Sequence, residues 1–368
     1  MSIKRRILPF ATFYLAISGF ASGLAAQSTP PESLLILSKA DHTLAIVDPV
    51  TLKVLAKAPV GNDPHEVIAS ADGTTAYVSN YGGGAFNTLA VIDLVAQKPL
   101  AAIDLGALRG PHGLDFAAGK VWFTAEAAKA IGSYDPSTQK IDWILGTGQN
   151  RTHMIYVAPD LKRIITSNVS SGTIGIIEKS AAAAPGGPQN GPPPNAAAGA
   201  PRPAPSRPQP GPLPGPARED WNQTVISVGP GSEGFDVSPD GTQLWVASAQ
   251  DGNISILDIA QKKVIQTLAA NVRGANRLKF TPDGKYVFVS MLGSSDAVVF
   301  DVAARREAKR IPVGRGAAGI QMQPDGSRAF VACTPDNYVV AIDLKTMSVT
   351  ARIDAGPNPD GMAWAIRH

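Results

Sequence analysis

The sequence predicts an all-β chain built from seven copies of one four-stranded unit, and three observations carry the prediction. First, an acid closes an apolar run at Asp48, Asp93, Asp135, Glu178, Asp258, Asp301 and Asp343, at intervals of 45, 42, 43, 80, 43 and 42 residues. Second, a tight-turn signal recurs at Asp72-Gly73, Ala118-Gly119, Pro159-Asp160, Asp240-Gly241, Asp283-Gly284 and Asp325-Gly326. Third, the composition is 44% hydrophobic and 17% charged, with 36 Gly and 31 Pro, which suits short buried strands joined by many turns. Units of ~43 residues with four strands each are the signature of a propeller. The expected fold is therefore a single seven-bladed β-propeller over residues 32–368, with four antiparallel strands per blade.

Each unit supplies four runs. Strand A covers 66–69 or 235–238, strand B 76–79, 244–248 or 286–290, strand C 44–48 or 254–258, and strand D 54–60 or 309–313. Valine, isoleucine and aromatic residues dominate B and C, as a pleated buried surface favours. The Asp-Gly pairs make tight A–B hairpins, because Gly accepts the positive φ such turns demand. The acid at the end of strand C is expected to bond turn amides and to be structural. The chain enters on a strand B (34–37) and leaves on a strand A (361–366), so the last strand should complete the first blade and close the ring.

Two segments fall outside the repeat. Lys4, Arg5 and Arg6 precede an apolar run, 7–20, and small residues follow at Gly23, Ala25 and Ala26, so 1–25 has the pattern of a signal peptide. Residues 181–217 hold 13 Pro among Gly, Ala, Asn and Gln, and are expected to be a disordered or polyproline-like insert in the fourth unit. Cys333, the one cysteine, excludes an internal disulfide and a cysteine metal site. The net charge is +3. Lys4, Arg5 and Arg6 belong to the leader, and Arg202, Arg207 and Arg218 lie in or beside the insert. Setting these six aside turns the charge to −3, which gives no broad attraction to nucleic acid or membrane.

Propeller connectivity puts the D–A and B–C loops on one face, where seven inner strands begin around the channel. Counting back seven residues from each turn gives His65, His153, Glu233, Asn276 and Ala318; the match of Pro111-His112 to Pro64-His65 adds His112, and the last unit contributes Asp360. Asp63, Arg109, Arg151, Arg273 and Arg315 lie just upstream, and strand-B ends add Asn80, Tyr81, Glu126 and Asn168. Three readings stand side by side. The His residues cap loops as part of a duplicated unit. Alternatively, Arg and His line an anion pocket. Or His65, His112, His153 and Glu233 form a metal or acid–base centre.

The segments 76–80 (Ala-Tyr-Val-Ser-Asn), 89–93 (Leu-Ala-Val-Ile-Asp), 237–241 (Val-Ser-Pro-Asp-Gly) and 309–314 (Lys-Arg-Ile-Pro-Val-Gly) resemble the YVTN-type propeller repeat of YncE-like periplasmic proteins. The resemblance covers nearly all of the chain after the leader, apart from the insert. It implies a seven-bladed fold and a periplasmic or secreted location. The wider superfamily includes lactonase-type hydrolases, streptogramin lyase and haem d1 propellers, so the fold alone assigns no activity. No lyase or lactonase motif matches residue by residue, and no catalytic residue is carried over. The expectation is a monomeric, exported binding scaffold with no membrane span after processing. It takes a small anionic ligand or a protein partner at the channel mouth, with nucleic acid a weaker partner. No cofactor or metal is expected. The alternative is a lactonase- or lyase-type enzyme using His and Glu around the channel.

Overall fold

The computed structural model describes residues 28–181 and 219–368. The expected signal peptide at 1–25 lies outside the described residues, as does the Pro-rich stretch beyond Ala181. Seven antiparallel sheets surround a central channel. From inside outward, blade 1 is Pro359–Ile366, Glu32–Ser38, Thr43–Val47 and Val54–Pro59. The C-terminal strand thus forms the inner strand of the first blade, with Leu34 opposite Trp364 and Ile36 opposite Met362. The inner strands of blades 2 to 7 are Pro64–Ala69, Pro111–Ala117, Thr152–Val157, Ser232–Val237, Ala275–Phe280 and Ala317–Met322. Each inner strand packs on its neighbours, closing the ring.

Strands B and C are buried on both faces, hence their near-continuous apolar runs, whereas outer strands such as Lys140–Gly146 alternate exposed and half-buried residues. The core consists of clusters between adjacent blades. One joins Leu35, Leu37, Leu44 and Ile46 of blade 1 to Val67, Val78 and Ile92 of blade 2. Blade 2 departs from four full strands, because its outer edge is split into Lys98–Pro99 and Ile103–Asp104. In blade 4, strand C runs to Ala181 and pairs there with Glu219, so both strands flanking the insert extend beyond their expected ends. The strand-C acids do bond turn amides. Asp48 accepts from Val50, Asp93 from Val95, Asp301 from Ala304 and Asp343 from Thr346. Glu178 instead pairs with Arg163 and Lys262.

A bulge shapes the channel mouth. The A–B register shifts between Pro64 and Val67, Thr152 and Ile155, Ser232 and Phe235, Ala275 and Leu278, and Ala317 and Ile320. A strand-B hydroxyl takes over where the ladder is interrupted. Thr124 Oγ1 accepts from the Gly113 amide and donates to the His153 carbonyl of the next blade, both at 2.9 Å. Ser167 stitches to the Glu233 carbonyl and Ser290 to that of Ala318 in the same way. These bonds tie the carbonyls of His153, Glu233 and Ala318 to the preceding blade. One position further along, the inner strands approach so closely that four blades use Gly. A Cβ on Gly361 would lie 2.2 Å from the His65 carbonyl oxygen, and one on Gly319 2.1 Å from that of Asp360.

Candidate functional site

The second residue of every inner strand lies at the mouth of the channel, which gathers His65, His112, His153, Glu233, Asn276, Ala318 and Asp360 into one ring. Two residues before each stands a left-handed backbone position: Asp63, Gly110, Arg151, Gly231, Gly274, Gly316 and Asn358 all have positive φ. Four are Gly. Asp63, Arg151 and Asn358 hold this conformation at a cost of ~1 kcal/mol or more each, because a Cβ crowds the carbonyl. Asp63 and Arg151 each send their side chain into the ring.

The three imidazoles form one cluster. The His112 ring lies against His153 at 3.7 Å between centroids and against His65 at 5.0 Å, and Tyr81 meets both His65 and His112 edge-on. His153, only 1% exposed, is held between two carboxylates. Its Nδ1 bonds Glu126, and its Nε2 lies 3.3 Å from Glu233 Oε1. Burial disfavours its charge, but the two carboxylates outweigh burial and raise its pKa above the usual value. His112 is the opposite case. Burial and the neighbouring positive charges of His153 and Arg277 push its pKa well down, so it is neutral. His65 is also lowered, by burial and by Lys39, whose Nζ is 2.9 Å from its Nε2. Glu233 falls to about 2, because His153 and Arg277 overcome the effect of its burial. Tyr81 donates to Glu126 Oε2 at 2.5 Å, and burial with that carboxylate lifts its hydroxyl to about 12.

Arg277 and Glu66, one position along from the ring on blades 6 and 2, form a buried ion pair between their inner strands. Both also line a cavity of about 270 Å³ that continues along the channel past Asp115, Asp236 and Lys279. Lys39 lies 3.3 Å from Asp360 and Arg151 lies 3.7 Å from Glu126. Among the described residues, no group of three or more His, Cys, Asp or Glu is placed to hold a metal ion.

Not every residue singled out in the sequence reaches this site. Arg109 and Arg273 are exposed and donate to the loop carbonyls of Ala85 and Gln250, while Arg315 pairs with Asp336 at 2.7 Å. These three stand three residues before the ring, and Arg151 stands two before it. That single step decides which Arg turns to the channel and which braces the neighbouring B–C loop. Asn80 is likewise a brace: it ends strand B opposite Pro64 and donates to Thr88 Oγ1 at 3.2 Å. Sequence reasoning missed Lys39, Glu66 and Arg277. Lys39 follows the last strand-B residue, the register of Tyr81 and Glu126 in the next two blades, so aligning the units on strand B would have found it.

Fold and site define the class: a seven-bladed propeller with a polar, charge-paired channel mouth concentrated on blades 1 to 6. No family model and no curated protein matches the chain. Solved structures do. One is a protein of unknown function from Desulfotomaculum acetoxidans, at 13% identity and TM-score 0.67 over 91% of this chain and 99% of that one. A provisionally assigned 6-phosphogluconolactonase from Bacteroides fragilis gives 16% and 0.65 over 92% and 99%. The dihydro-heme d1 dehydrogenase NirN, in complex with DHE, gives 14% and 0.57 over 89% and 64%. At these identities the likeness is one of fold. No helix among the described residues is long and apolar enough to cross a membrane.

Proposed function

We propose that this chain is an exported propeller of the YVTN type that captures a small anionic ligand at its channel mouth and does not transform it. The observation that carries the reading is that the acid–base groups of the ring are committed to one another. Glu233, with its pKa near 2, has no proton to give at neutral pH. His153 lies between two carboxylates, which raise its pKa and favour its protonated form. His112 is neutral and a poor base, because burial and its cationic neighbours push its pKa well below the ordinary value. Acid–base catalysis needs an acid and a base that reach the substrate, and His65 alone is a neutral imidazole with part of its side chain open. Two cations are partly open at the mouth, Lys39 with 26% and Arg151 with 40% of the side chain exposed. A carboxylate or phosphate fits between donors of this kind. The leader pattern at 1–25 supports export.

Titration calorimetry against small carboxylates and phosphates tests the reading, together with a lactone hydrolysis screen. Binding should weaken about tenfold in Arg151→Ala and in Lys39→Ala, as loss of a charge-assisted hydrogen bond implies, and no lactone should turn over. Turnover abolished by His65→Ala would replace this reading with that of a lactonase- or lyase-type enzyme.

A further inference from the structure

Three buried atoms of the ring have no hydrogen-bond partner; one of them, His153 Nε2, lies 3.3 Å from Glu233 Oε1, and the other two belong to Asn276 and His112. Asn276 is 6% exposed, and its Nδ2 donates to Glu233 Oε1 at 2.8 Å. The carboxylate dictates that orientation, because the flipped amide would set two acceptors against each other. Asn276 Oδ1 is therefore a buried acceptor, and it is unpartnered. His112, 2% exposed, has an unpartnered Nδ1. Its ring is neutral, so that atom carries either a proton or a lone pair. The two residues belong to one assembly, in which Asn276 holds Glu233, Glu233 lies against His153, and His153 lies against His112.

Leaving such atoms unsatisfied is unfavourable, and sites that recognise polar groups are built from atoms like these. A bare carboxylate is all acceptor and offers nothing to Asn276 Oδ1. Hydroxyl groups serve both atoms: one donates to Asn276 Oδ1, and one either donates to or accepts from His112 Nδ1. We infer that the ligand of this mouth carries hydroxyl groups that Asn276 and His112 read; with the anion-binding reading above, on which the inference rests, it is a hydroxylated anion.

Succinate, malate and tartrate share a four-carbon dicarboxylate and differ only in hydroxyl number, while threitol keeps the hydroxyls and drops the charge. Calorimetric titration with these four tests the inference. Affinity should rise from succinate to tartrate by about tenfold or more. Asn276→Leu and His112→Phe should flatten the series, so that tartrate binds no more tightly than succinate. Should Asn276→Leu not fold, His112→Phe and Asn276→Ala carry the same comparison. A flat series in the unsubstituted protein, with succinate bound, overturns the inference, since water then serves both atoms, and leaves the anion reading standing. Threitol bound with no dicarboxylate bound keeps the hydroxyl readout and removes the anion reading. No binding by any of the four overturns both.

Discussion

Arg277→Met tests how the two sides of the channel are held together. Arg277, on the inner strand of blade 6, bonds Glu66 on that of blade 2, donates to the Asn276 carbonyl at 3.1 Å, and lies 3.6 Å from Glu233. Both members of the Glu66 pair are buried. Burial disfavours the guanidinium charge, yet Glu66, Asp360 and Glu233 outweigh it and raise its pKa. Removing one partner of such a pair costs about 3–5 kcal/mol, because the other charge stays buried without its counterpart. At roughly 2 °C per kcal/mol for a chain of this size, Tm should fall by about 6–10 °C. The double variant Glu66→Leu, Arg277→Met removes both charges and should recover most of that loss, since burying the pair carries its own desolvation penalty. Differential scanning calorimetry on both single variants and the double variant measures the coupling. A single variant as stable as the parent, or a double variant no better than Arg277→Met, would refute the account of a mutually compensated pair.

Three further outcomes are expected. Gly361→Ala should destabilise the ring by at least about 1–3 kcal/mol, because the new methyl meets the His65 carbonyl at 2.2 Å and the inner strands must separate; a Tm within 1 °C of the parent would contradict that packing. Deleting 361–368 removes most of the inner strand of blade 1 and its pairing with Glu32–Ser38, so chemical denaturation should show loss of cooperative folding of the whole ring. Acid denaturation should report Glu233: its pKa is depressed from the ordinary 4.5 to about 2. Its contribution is therefore present above 4.5 and is lost as pH falls toward 2, and Glu233→Gln should reduce the loss of stability over that interval.

Much of the fold was legible because a repeat states each structural rule several times. The strand-C acids and Asp-Gly turns fixed the units, and the phase of the first and last strands gave the closure. The ring could be counted out for the same reason, since a bulged inner strand presents its second residue in every blade. What escaped belongs to single copies. Glu66 and Arg277 share the position that four other blades fill with Gly, and their meaning lies in a partner more than 200 residues away. The Arg residues show the limit from the other side. Arg109, Arg273 and Arg315 differ from Arg151 by one place in the loop, and only the left-handed backbone two residues before the ring separates a channel residue from a loop brace. The bulge hydroxyls Thr124, Ser167 and Ser290 occupy one register of strand B, a pattern the sequence contains but does not interpret.

The claim on which the functional reading depends is that the ring's imidazoles are fixed in different charge states by their neighbours. Long-range ¹H–¹⁵N correlation spectra of the imidazole rings near pH 7 measure this directly. His153 should be protonated on both nitrogens and stay so above its ordinary value of 6.5, while His112 and His65 are neutral and stay neutral below it. A neutral His153 at that pH would free a buried base between Glu126 and Glu233, contradict the commitment of those groups, and return acid–base chemistry to the channel mouth.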